Sequence, residues 1–197
     1  MPVREVRGWS TLEDERPSPM NVLPYASAAA VFRTYDSEVK VVAQALRGEI
    51  QGVEPRLQVE HIGSTSVPGC GGKGIVDLAI LYPEGLLGRA REVLDRLGFQ
   101  RQGGPEPFPE ERPMRVGTVE HAGRRFGIHA HVIALGSEEH RELVWFRERL
   151  RGDPALRRAY EERKQAILAA GIRDSLAYCM AKGSFITDVL KERPLGG

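Results

Sequence analysis

Several residues in this chain have the types and spacing to do chemistry. One set is the turn-rich run Gly63-Ser64-Thr65-Ser66-Val67-Pro68-Gly69, with Lys73 a few residues on. Glycine lets a backbone approach a ligand closely, and serine and threonine add hydroxyl and amide donors. Gly63, Ser64, Thr65 and Lys73 are therefore candidates to hold a phosphate. A second feature is Asp77, the sole charge in the apolar run Ile75-Val76-Asp77-Leu78-Ala79-Ile80-Leu81. An unpaired carboxylate is costly in such a strand, so a metal, a lysine or a hydrogen-bond network must compensate it. The third is the pair His129 and His131. On a strand, residues two apart point to one face, a common arrangement for two metal ligands. Asp77 would supply a third ligand from a neighbouring strand, and His61, just before the glycine turn, a fourth. Imidazole donors move the preference from magnesium towards zinc, manganese or another transition metal. The plainer reading makes these histidines partly exposed sheet residues or pocket lining.

Two lysines stand inside apolar helical stripes. Leu156, Tyr160, Lys164 and Ile167 share one face, and Tyr178, Lys182, Phe185, Ile186 and Val189 share another. A lysine there either carries its ammonium to the rim or meets an anion. Lys164 and Lys182 thus join the phosphate candidates, with Arg112 and Arg147 as further anion contacts. Gly72-Lys73 does not make a P-loop: Val67 stands where the first glycine is required, and Gly74 where a serine or threonine is. Ser64 lacks the flanking glycines of a hydrolase elbow.

The elements that must position these groups are read from periodicity. Residues 1–24 are polar and proline-dotted, an extended arm; residues 25–197 read as one domain. From about Ser27 a helical stripe runs through Val31, Phe32, Tyr35, Val39, Val42 and Leu46, with Gly48 as its stop. Leu57–Ile62 and Ile75–Leu81 are strands, the second with the composition of a buried one. Leu86, Leu87, Ala90, Val93, Leu94 and Leu97 form a helical stripe ended by Gly98. A Gly/Pro-rich loop follows over Gly103–Pro113, then a hairpin of 114–120 and 125–135. In the latter strand Phe126, Ile128, Ala130, Val132 and Ala134 face the core, opposite the histidines. The rest is helical, with Asp153 and Pro154 opening one helix, Gly171 ending it, and Asp174 or Ser175 opening the last.

Of the 197 residues, 28 are basic and 27 acidic, giving a net charge of +1. That balance leaves no strong nucleic-acid footprint. No stretch is apolar enough to cross a bilayer or act as a leader, so a cytoplasmic location and no membrane association are expected. Cys70 and Cys179 are too few for a disulfide framework and read as free thiols.

The run EHIGSTSVPG, Lys73, the strand IVDLAI, and the later segments IHAHVIALG, WFRERLR, Tyr160-x-x-x-Lys164 and Tyr178-x-x-x-Lys182 together resemble the GrpB family. The resemblance spans about Tyr25 to Leu190. It implies an α/β (α+β) fold, a mixed sheet of the nucleotidyltransferase type seen in DNA polymerase β, with a helical C-terminal part. It also implies a Gly-Ser turn for nucleotide phosphates and a strand aspartate, Asp77, as catalytic metal ligand. In active transferases of that fold a second carboxylate stands two residues on, because two metals at one phosphorus share acidic ligands. Here that position is Ala79, so conventional two-metal transfer is not implied. GrpB-like domains also occur fused behind dephospho-CoA kinases; without a P-loop no kinase activity follows. The expected function is metal-dependent binding of a nucleotide or phosphate ester, using magnesium, manganese or zinc, and reaching as far as nucleotidyl transfer to a small acceptor. The rival is a non-catalytic ligand-binding or interaction protein, a degenerate transferase.

Overall fold

A computed structural model describes residues 20–194, apart from 27, 28 and 105. The strands are β1 (Val22–Leu23), β2 (Gln58–Ile62), β3 (Val76–Tyr82), β4 (Gln100–Arg101), β5 (Met114–His121) and β6 (Arg124–Ala134). The helices are α1 (Glu38–Val53), α2 (Leu87–Arg96), α3 (Glu138–Gly152), α4 (Pro154–Ala169) and α5 (Ser175–Lys191). The sheet runs in the order β1-β5-β6-β3-β2, with β4 also paired to β5. It is mixed: β3 is parallel to β6 and antiparallel to β2. The arm expected over residues 1–24 lies mostly outside the described residues. Its last part, Val22 and Leu23, pairs with β5 rather than standing apart.

Strand alternation divides the sheet into two faces. Val59, Leu78, Ile80, Ile128, Ala130 and Val132 face α1 and α2, which bury Val42, Leu46, Ile50, Ala90, Val93 and Leu94 against them. The opposite face carries Ile62, Ala79, Leu81 and Ile133, with Leu143 of α3 packed on them. Beyond it the last three helices converge, Tyr160 and Leu150 packing with Phe146, Phe185 and Ile186.

Local signals account for most boundaries. Asp153 accepts from the amides of Ala155 and Leu156 with Pro154 in the first turn, and Asp174 accepts from Ala177. These are N-caps of the expected kind. Ala122 (φ 49°) and Gly123 (φ 71°) turn the β5–β6 hairpin, the two positive φ values of a type I′ turn. The first helix departs from expectation. It begins at Glu38, not near Ser27, and passes through Gly48 to Val53. The apolar residues before it go elsewhere: Ala30 packs with Ile167, Leu168 and Tyr178, with Phe32 against them, while Arg33 bridges Gly72 through both backbone groups. The helix stops at Glu54 because Pro55 follows and holds its predecessor extended, at φ −142°, ψ 92°.

Candidate functional site

The turn after β2 is a short 3-10 segment, Ser64–Ser66, entered through Gly63 at φ 68°, ψ −173°. That backbone region is open essentially to glycine alone. A Cβ at Gly63 would collide with Asp77 Oδ2 and lie 3.1 Å from Asp77 Cβ and Cγ. The glycine therefore makes room for the β3 carboxylate. Ser66 Oγ donates to Gly63 O at 2.7 Å and fixes the turn. The Thr65 hydroxyl is also committed, donating to Ile75 O while 3.0 Å from His61 Nε2. Of the expected phosphate-binding hydroxyls, only that of Ser64 is left uncommitted among the described residues.

Register decides which candidates meet. Asp77 pairs with His129 on β6, and Ala79 with His131, so all four side chains share one face. Asp77 Oδ1 lies 3.4 Å from His129 Nδ1 and 3.8 Å from His131 Nε2. Donor atoms of the three residues fall within 4.8 Å of one another. Ligands around a tetrahedral zinc at roughly 2.0–2.1 Å stand roughly 3.4 Å apart, so the donor set matches a transition metal in spacing and in kind. Burial raises the Asp77 carboxyl, but the two histidines outweigh it and hold the group well below the usual carboxylate range. Burial also drives His131 down, against the pull of Asp77.

His61 does not join them. Asp77 pairs with Ile62, and His61 pairs with Leu78, which places His61 on the opposite face of the sheet. There it lines a cavity with Lys40, Arg147 and Arg151. Its pKa falls to about 4, chiefly by burial, with Asp77 opposing and Arg151, Arg147 and Lys40 adding to the fall.

Further partners surround the cluster. Tyr25 hydroxyl is 3.0 Å from His129 Nε2. Arg112 Nη1 is 3.3 Å from His131 Nδ1, while the same guanidinium is doubly bonded to Glu139 at the start of α3. Glu60 stands across from Ala79 on the same face and is tied to Arg147 at 2.8 Å and His140 at 3.2 Å. Ala79 itself is fully buried among apolar side chains. Glu60 was legible only as part of a motif; its role depends on a β2–β3 register that sequence spacing does not encode. Tyr25 and Glu139 gave no signal at all.

The lysines separate. Lys164 is 2% exposed, and its ammonium donates to Gly71 O and to Cys70 Sγ, with the Tyr160 ring 4.4 Å away. Three residues earlier on α4, Glu161 accepts from Gly71 N. The pair grips both backbone groups of one residue, so Lys164 braces the turn rather than facing an anion. Ser64 Oγ and Lys164 Nζ do flank the same spot, 2.9 and 3.3 Å from where a Gly72 Cβ would sit. Lys73 and Lys182 instead share the Tyr178 ring, at 5.1 and 5.5 Å from its centroid. The Tyr178 hydroxyl is buried with no hydrogen-bond partner among the described residues, and burial pushes its pKa up to about 12. Burial lowers Lys73, with Lys182 adding to the effect and Cys179 and Asp77 opposing it. A cavity of about 740 Å³ opens beside Lys73, walled by Tyr25, Tyr35, Thr65 and Phe126.

Residues 29–192 match the family described as GrpB protein, and the chain belongs to it. A UPF0157 protein of Pseudomonas aeruginosa is 31% identical over 183 residues, covering 92% of this chain and 69% of that one. Another, from Streptomyces coelicolor, is 35% identical over 130 residues, covering 66% and 65%. The crystal structure of the conserved protein GrpB from Enterococcus faecalis superposes with a TM-score of 0.64 at 22% identity, covering 82% of this chain and 96% of that one. The GLD-2/RNP-8 complex aligns at 0.49 and 15% identity over 83% and 62%, a likeness too loose to carry its chemistry across.

Proposed function

We propose that the protein binds a nucleotide or related phosphate ester through a divalent transition metal. Asp77 and the β6 histidines would hold the metal, and Ser64, Lys73 and Lys182 would meet the phosphates. The observation that carries this reading is the meeting of Asp77, His129 and His131 within 4.8 Å beside a turn whose glycine is shaped around that carboxylate. A metal there would supply Lewis-acid stabilisation of phosphate oxygens. The residues' own part is to orient the ester: two ammonium groups near the Tyr178 ring offer positive charge, and the cavity lined by Lys73 and Tyr25, though not by the cluster itself, is of the size that small ligands occupy.

A second reading, ligand binding without turnover, is favoured by Ala79. The position of the second transferase carboxylate is apolar and sealed, and the neighbouring Glu60 is committed to Arg147 and His140. Thermal-shift titration with nucleoside triphosphates and zinc, manganese or magnesium tests the binding. Ligand at about 100 times its dissociation constant adds roughly 2.7 kcal/mol, about 5–11 °C for a chain of this size. Asp77→Asn should remove that stabilisation while the protein stays folded. A flat response from the folded wild type to every metal and nucleotide would refute the proposal. Product formation that depends on Asp77 would mark an enzyme, and binding without product the second reading.

A further inference from the structure

The two imidazoles of the cluster have unlike outer partners. His129 presents Nδ1 to Asp77 and Nε2 to the Tyr25 hydroxyl. A hydroxyl both gives and takes a hydrogen bond, so either tautomer of His129 is satisfied there. His131 presents Nε2 to Asp77 and Nδ1 to Arg112 Nη1. A guanidinium has only donors. The Nδ1 lone pair of His131 is thus taken up by Arg112, and the neutral ring carries its proton on Nε2, aimed at Asp77. A metal ligand needs a lone pair at that atom. With Arg112 in place, His131 offers a proton instead.

Arg112 is not loosely held. Its Nε and Nη2 go to the Glu139 carboxylate, and its guanidinium lies 4.6 Å from the centroid of Phe108. Phe108 in turn meets His131 edge-on, with ring centroids 5.9 Å apart. Phe108 and Arg112 therefore set an aromatic ring and a cation on His131, whose other nitrogen faces Asp77.

The geometry points to Arg112 as a gate on the centre, an inference that rests on the metal reading above. While Arg112 holds His131 Nδ1, the centre offers Asp77 and His129 alone. When Arg112 withdraws, the proton of His131 moves to Nδ1, Nε2 becomes a donor to metal, and the third ligand is complete. The guanidinium is one rigid plane, so Nη1 leaves the ring only when the double bond to Glu139 turns or breaks with it.

The test is a double-mutant cycle on the full chain, read by zinc titration against a chromophoric chelator. Arg112→Met should tighten zinc by about tenfold or more, the scale on which outer partners act at metal sites. His131→Ala should cancel the whole gain in the Arg112→Met background. A gain that survives in the double mutant would be plain charge removal, and would overturn the gate. So would a wild type in which His131→Ala alone weakens zinc as much as Asp77→Ala. Nitrogen-15 NMR of the metal-free wild type reads the tautomer directly: His131 should carry its proton on Nε2, and a proton on Nδ1 overturns the gate whatever zinc does. Zinc binding by none of the variants would remove the metal reading itself.

Discussion

Gly63→Ala would test whether the glycine serves the carboxylate behind it. Two costs are expected. Gly63 sits at φ 68°, ψ −173°, a conformation that costs other residues about 1–3 kcal/mol. The added methyl would also press on the Asp77 carboxylate, an overpacking cost of about 1–3 kcal/mol. At about 2–4 °C per kcal/mol, the backbone part alone lowers Tm by about 2–12 °C. Calorimetry on Gly63→Ala, Asp77→Ala and the double mutant separates the parts. In the Asp77→Ala background the clash with the carboxylate is gone, leaving the backbone cost and the 3.1 Å approach to the Cβ, so the loss should be smaller. Gly48→Ala is the control: a Cβ there meets nothing within 4 Å inside α1, and alanine should add about 0.5–1 kcal/mol. A Gly63→Ala protein as stable as wild type would refute both the turn conformation and its contact with Asp77. An equal loss in both backgrounds would refute the contact alone.

Arg115 is 1% exposed on β5 and paired with Asp95 at 2.6 Å and Glu110 at 3.1 Å, both partly exposed, so Arg115→Ala should cost about 1–3 kcal/mol in chemical denaturation. A folded-state pKa of about 4 for His61, below the unfolded value of about 6.5, means the unfolded chain takes up the proton first. Stability from this group is whole above about pH 6.5 and is lost as pH falls towards 4; His61→Gln should flatten Tm against pH in that window. Lys164→Met should lower Tm while leaving nucleotide-dependent stabilisation in place, because its ammonium is spent on Gly71 and Cys70; Lys182→Met should do the reverse. Equal loss of ligand response in the two lysine variants would return Lys164 to the phosphate set.

What could be read before the structure was what local chemistry settles. The β5–β6 hairpin, the Asp153-Pro154 and Asp174 caps, and the apolar β3 run with its one aspartate follow from short-range rules and stand where expected. The GrpB resemblance holds over residues 29–192. The misplacements are all long-range. The stripe through Val31, Phe32 and Tyr35 has helical spacing, but Ala30 and Phe32 are claimed by α4 and α5 from across the chain. His61 was grouped with the other histidines by proximity to the glycine turn, whereas a strand register sends it to the other side of the sheet. Lys164 and Lys182 have the same Tyr-x-x-x-Lys spacing, and only packing distinguishes the brace from the cation beside Tyr178.

The grip of Glu161 and Lys164 on Gly71 has a mechanical consequence. Helix α4 is bolted to the peptide that joins the glycine turn to β3, at both its donor and its acceptor. A hinged cover would have to break both bonds, and part the packing around Lys164, each time it opened. Helix α4 is therefore a splint, fastened to the segment between the glycine turn and β3 and moving together with it. The two imidazoles are reached from outside that splint, by Tyr25 and by Arg112.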